Sequence, residues 1–245
     1  MYLSCLLINV GDNPDHPRPG RLWLRNLYHV HQRLCMAFPS ASRKADDPDF
    51  LRPFKPEDFG PQQVHVARGA DAGFLFRIDP RPGGRVVVLV QSALRPDWDY
   101  AFRNGACLLA APPDVKSYDP SFEKEQHVRF RLRANPTVRR VFEPASSGQP
   151  KQSGKRVGVY GEEAQREWLD RKAERAGFRV LDCRVLDRGF QVSGRRNGAP
   201  PLRHLCVDFE GILELTDPET FLSALESGIG SGKAFGFGLL SVARA

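Results

Sequence analysis

The chain contains no run of about 18 apolar residues, the length a membrane-crossing helix needs. It also has no C-x-x-C pair: its five cysteines, Cys5, Cys35, Cys107, Cys183 and Cys206, are odd in number and far apart. That spacing argues against a disulfide framework or a zinc site and fits small buried hydrophobes in a reducing cytoplasm. The apolar opening, residues 2–10, lacks a preceding basic segment and runs into Gly11-Asp12-Asn13-Pro14. A buried first strand is expected there, not an export signal. Ser40 to Gln63 carries Asp46, Asp47, Asp49, Glu57 and Asp58, but without the regular carboxylate spacing of a calcium loop or a nearby histidine pair. A mobile surface segment is expected there, and no metal.

Acid is scarce in one place above all. Between Arg129 and Arg156 the basic residues are Arg129, Arg131, Arg133, Arg139, Arg140, Lys151, Lys155 and Arg156, and Glu143 is the only acid. The whole chain has 36 Lys plus Arg against 29 Asp plus Glu, a net charge of +7, so the imbalance is local more than global. Such a stretch is either a solvated face or a track for a polyanion.

Glycine is concentrated near the end. Five glycines, Gly228, Gly230, Gly232, Gly236 and Gly238, fall within SGIGSGKAFGFGLL, residues 227–240, with Lys233 among them. This is too much glycine for a helix or an ordinary strand. Gly228 to Gly232 is one residue short of the G-x-x-x-x-G-K phosphate loop, Ala234 stands where Ser or Thr would meet magnesium, and no G-x-G-x-x-G register exists. Two readings stay open on composition: an anion cradle of backbone N–H groups with Lys233, or a tight backbone connection into a last strand.

Periodicity orders the rest. Apolar residues from Leu22 to Phe38 recur at helical spacing, which puts His31 on the inward stripe one turn from Tyr28 and turns His29 away. From these residues alone His31 is either a packed core histidine or a catalytic one. Gly73–Ile78 and Arg85–Ser92 read as a hairpin, whereas Arg95–Glu125 shows no obvious second helix. The first half therefore reads as an abbreviated βαββαβ unit; His65 and His127 read as structural. In the second half, His127–Val141 alternates Val128, Phe130, Leu132 and Ala134 against Arg129, Arg131 and Arg133, so a strand with one apolar and one basic face is expected. A helix over Glu162–Ala176, strands over Phe178–Leu186 and Leu202–Leu215, a short helix over Pro218–Ser227 and a last strand complete a second β-α-β-β-α-β order, the ferredoxin-like pattern. The turn-rich Arg188–Pro201, with Arg195 and Arg196 near its tip, is either a solvated hairpin end or a further polyanion contact.

Three segments together carry a family resemblance: SGIGSGKAFGFGLLSVARA at residues 227–245, FRLRANP at Phe130–Pro136 and LYHVHQRLCMAFP at Leu27–Pro39, with MYLS at the start. The chain resembles the CasE-type endoribonucleases, the Cascade-associated CRISPR subunits that cut precursor crRNA. The resemblance implies an α+β fold of two tandem ferredoxin-like domains, 1–122 and 123–245, the first abbreviated, with RNA crossing the basic face between them. It implies that Tyr28 and His31 flank the scissile phosphate, that the glycine-rich loop packs near the first helix, and that a β-hairpin of the second domain engages the repeat stem. Arg129, Arg131, Arg133, Arg139, Arg140, Lys155, Arg156, Arg195, Arg196 and Lys233 are the expected RNA-binding residues. The implied reaction needs no metal and no cofactor: the ribose 2′-OH attacks the adjacent phosphate, leaving a 2′,3′-cyclic phosphate, or the 3′-phosphate it opens to, and a 5′-OH. The implied partners are a CRISPR repeat stem-loop and other Cascade subunits. The alternative is a non-catalytic subunit that holds a processed repeat stem.

Overall fold

In the computed structural model, which describes residues 1–11, 18–52, 73–140, 154–193 and 201–245, the apolar opening run forms β1 (Tyr2–Ile8). It lies inside a four-stranded antiparallel sheet with β2 (Phe74–Pro80), β3 (Val86–Ser92) and β4 (Asp114–Ser117), ordered β2-β3-β1-β4. β1 pairs with β3 from Tyr2↔Ser92 to Ile8↔Val86, and the β2–β3 hairpin turns through Pro82–Gly84 as the sequence predicts.

The helical stretch before β2 is broken where periodicity predicts one helix over 22–38. α1 (Pro19–Leu24) ends at Arg25, and α2 (Leu27–Cys35) starts afresh because the Asn26 side chain accepts a hydrogen bond from Tyr28 N. α3 (Ala41–Asp46), capped by Ser40, occupies part of the segment expected to be mobile surface. Asp47 is buried there by its 2.6 Å ion pair with Arg43; Glu57, Asp58 and His65 lie outside the described residues. The second helix of the unit exists as α4 (Trp98–Phe102), capped by Asp97. At five residues it is too short to leave a helical period in the sequence, yet Trp98, Tyr100, Ala101 and Phe102 are all buried. They pack with Leu6, Ile8, Val30, Leu34, Phe76 and Val90 into the first core.

The second sheet repeats the order. β5 (His127–Ala134), α5 (Glu162–Arg175), β8 (Phe178–Ser193), β9 (Leu202–Leu215), α6 (Pro218–Ser227) and β10 (Leu240–Arg244) give strands ordered β10-β5-β9-β8. Phe130, Leu132, Trp168, Phe209, Leu213 and Phe221 are among its core residues. The fold is thus two tandem ferredoxin-like units, the first with an abbreviated second helix.

The expected single strand over His127–Val141 is two. At Pro136, which has no N–H to give a ladder, the chain leaves the sheet, and β6 (Thr137–Arg140) pairs instead with β7 (Lys155–Gly158) in a separate ribbon. The expected turn over Arg188–Pro201 is shorter than predicted, because β8 continues past irregular pairing between Asp187 and Phe190 as far as Ser193. Arg195 and Arg196 lie outside the described residues.

Candidate functional site

α2 buries Leu27, Val30, His31, Leu34 and Cys35 and leaves Tyr28 half-buried and His29 exposed. The inward stripe is the one the spacing predicts. The His31 ring stacks on Phe74 at 5.4 Å and on Phe76 at 6.4 Å, and its Nε2 lies 3.6 Å from Cys35 Sγ. Tyr28 sits in the first turn of α2, fixed by the Asn26 cap.

Across from this helix lies the glycine-rich loop. The short 3-10 turn Lys233–Phe235 packs against both α2 and β2. All five glycines have positive φ, and two show why a side chain is refused. At Gly236 (φ +81°) a Cβ would come within 3.2 Å of the Phe76 ring, which also stacks on His31; at Gly238 (φ +88°) it would meet Ile229 O at 2.9 Å. Several loop amides are already used inside the protein: Gly228 N donates to Ala224 O, Ile229 N to Gly238 O, Phe235 N to Gly232 O and Gly238 N to Arg133 O. The arrangement is that of a backbone packed closely against its neighbours. Lys233 is partly buried, its Nζ donates to Ser227 O at 2.5 Å, and burial followed by the charge of Lys172 lowers its pKa.

The basic residues fall into two groups. On β5, Arg129 is exposed and donates to Arg244 O, but Arg131 and Arg133 do not form the free basic face that alternation predicts. Arg133 is buried and grips Asp208 through Nε at 2.7 Å and Nη2 at 3.0 Å, with Nη1 donating to Ile78 O. Arg131 lies 3.0 Å from Glu210 and 3.5 Å from Asp79, which is itself paired with Arg77. Arg188 reaches Asp208 from β8 at 3.2 Å. Burial alone would raise the Asp208 carboxyl, but hydrogen bonds from Arg133 and Arg188 and the charge of Arg131 hold it below the usual carboxylate range. Arg77 also donates to Arg131 O and Leu239 O, so this network ties one sheet to the other.

The ribbon is the reverse case. Arg139 faces Arg156 and Arg140 faces Lys155 in direct register, and all four are exposed. Like charges opposed across strands are unfavourable, and no ion pair among the described residues offsets them.

A family model for "CRISPR associated protein" matches residues 1–244. The chain is 36% identical to the CRISPR-associated endoribonuclease Cse3 of Thermus thermophilus, the alignment covering 99% of this chain and all of that protein. The chain belongs to the Cse3/CasE-type CRISPR-associated family. It is also 28% identical to the Cascade subunit CasE of Escherichia coli, over 99% of each chain. The structure of Thermus thermophilus Cse3 bound to an RNA representing a pre-cleavage complex matches with a TM-score of 0.69 and 32% identity, covering 99% of this chain and 98% of that one.

In this member of the family, α2 and the glycine-rich loop meet at the Phe76 ring, with Phe74 stacked on His31 beside it, residues that sequence reading treats only as strand hydrophobics. His204 was likewise invisible in the pattern: it is buried on β9, stacks on Phe235 of the loop at 4.5 Å, and burial lowers its pKa. Burial also pushes the Cys183 and Cys206 thiols up to about 11, which leaves them inert as nucleophiles. Among the described residues no three His, Cys, Asp or Glu side chains converge on a metal-sized site, and no helix is long and apolar enough to cross a membrane.

Proposed function

We propose that the protein cuts precursor crRNA at the base of the repeat stem-loop without a metal, and remains with the product as a Cascade subunit in the cytoplasm. The ribose 2′-OH attacks the adjacent phosphorus, the bond to the 5′-oxygen breaks, and a 2′,3′-cyclic phosphate and a 5′-OH result. RNA brings its own nucleophile, so the protein must supply alignment, proton transfer and charge stabilisation. His31 carries the proton: its imidazole takes it from the 2′-OH or gives one to the leaving oxygen. Tyr28 positions the phosphate by donating a hydrogen bond from its hydroxyl. Lys233 offsets charge on the non-bridging oxygens. Repeat RNA is held by Arg129, Arg139, Arg140, Lys155 and Arg156, and Arg195 and Arg196 are assigned to the same interface. A-form RNA hides its bases in a deep groove, so these cations read phosphates and shape. The units 1–122 and 123–245 act as two domains on one RNA.

The observation that carries this reading is the meeting of two remote segments: the helix with Tyr28 and His31 one turn apart, and the loop with Lys233 packed on that helix. One feature favours the alternative, a non-catalytic subunit that holds a processed stem. His31 is only 9% exposed and its Nε2 faces Cys35, so to touch RNA the ring must swing outward from the Phe74 stack. Cleavage of a labelled repeat stem-loop in EDTA separates the two. Wild type is expected to give one product at the stem base, and His31→Ala to lose about 10²- to 10⁴-fold in rate while binding the stem within about twofold of wild type. A stem bound and left whole by wild type establishes the holding subunit instead; cutting only after magnesium is restored overturns the metal-free mechanism.

A further inference from the structure

Phe190 on β8 is 44% exposed and Tyr160, just after β7, is 58% exposed, although large aromatic rings are usually kept from water. The two rings lie 6.4 Å apart, tilted by 56°. Their exposure is built in by the backbone. β8 loses register with β9 between Asp187 and Phe190, where Gly189 sits at φ +75° with its N–H held by Asp187 Oδ1 at 2.7 Å; such a bulge re-aims the side chain that follows it. Gly158 makes room for the other ring, since a Cβ there would meet the Tyr160 hydroxyl at 2.9 Å.

Cations stand near both rings, with Asp187 the acid at the bulge. Arg203, opposite Val192 in the ladder, reaches diagonally to place its guanidinium 4.4 Å from the Phe190 ring centre. Arg188 lies at the bulge, and Lys155 and Arg156 occupy the strand that leads to Tyr160. Two exposed ring faces, one with a guanidinium against it, next to a ribbon of opposed positive charge, suit a ligand that is both planar and anionic. We propose that Phe190, Tyr160 and the Arg203 guanidinium form a stacking platform for one unpaired nucleobase of the bound RNA. The inference rests on the RNA-processing reading above. Phosphates on the ribbon would set the strand's path, and the platform would take a base that the stem does not pair.

The test uses the full chain and repeat stem-loops with 2-aminopurine placed in turn at each unpaired position. Wild type is expected to quench the fluorescence at one position, and Phe190→Leu, which keeps apolar volume but loses the ring face, to restore it. Affinity for the intact RNA should fall on the order of 10-fold in Phe190→Leu, and not at all for RNA abasic at that position, with Phe190→Trp behaving as wild type. Tyr160→Leu should give a smaller loss with the same dependence on the base. Quenching at no position, or equal weakening of intact and abasic RNA, overturns the platform while leaving the nuclease reading in place. Failure of wild type to bind any stem-loop removes that reading and the platform with it.

Discussion

Arg131 and Arg133 on β5 and the four cations of the β6–β7 ribbon come from one basic stretch of sequence in which Glu143 is the only acid, yet they live in opposite surroundings. The β5 pair is matched to carboxylates, above all the fully buried Asp208, and joins the two sheets. Among the described residues the ribbon cations face only each other. A run of arginines therefore says little until its counter-charges are located: the first set holds the protein together, and the second has no counter-charge among the described residues.

The largest effect should come from breaking the first set. Asp208→Ala leaves Arg133 buried without a counter-charge and is expected to cost about 3–5 kcal/mol, a fall in Tm on the order of 10 °C by calorimetry. RNA affinity of the folded protein should hardly move; an intact Tm with lost RNA binding would invert the comparison. Acid should act on the same set. The Asp208 pKa is lowered in the folded state, so its contribution is complete above the unfolded carboxylate value, about pH 4, and is lost as pH falls through the lower folded value. Wild-type stability should therefore drop below about pH 4 more steeply than that of Asp208→Ala, in thermal melts across pH.

Neutralising the ribbon should do the opposite. With Arg139, Arg140, Lys155 and Arg156 all changed to Gln, the slope of log affinity against log salt for repeat RNA should become shallower by about 3, while Tm stays level or rises slightly because opposed like charges are gone. A large fall in Tm would show that the ribbon too is structural. Arg129 sharpens the boundary. It shares a strand with Arg133 but is exposed, so Arg129→Gln should shift stability by no more than about 0.5 kcal/mol and reduce the salt slope by about 1.

The sequence made some of this legible. The stripe through Leu27, His31, Leu34 and Cys35 and the alternation along β5 are local, so period alone places them. The break at Asn26 is not placed by period, because apolar residues continue across Arg25 and only the Asn side chain marks where α2 begins. The Arg133–Asp208 pair spans 75 residues, and nothing local in either segment points to the other. The meeting of Gly236 with Phe76 is equally remote, and the glycine excess signalled only that something comes close.

That remoteness matters while the chain is being made. His31 is synthesised early, but the loop that packs on its helix follows about 200 residues later. At ordinary translation rates that is roughly 10–40 s. Throughout this interval the nascent protein carries the proposed proton carrier without the glycine-rich loop beside it. RNA cutting of the kind proposed here would then begin only when the last strand has docked, so an interrupted chain would be a silent one.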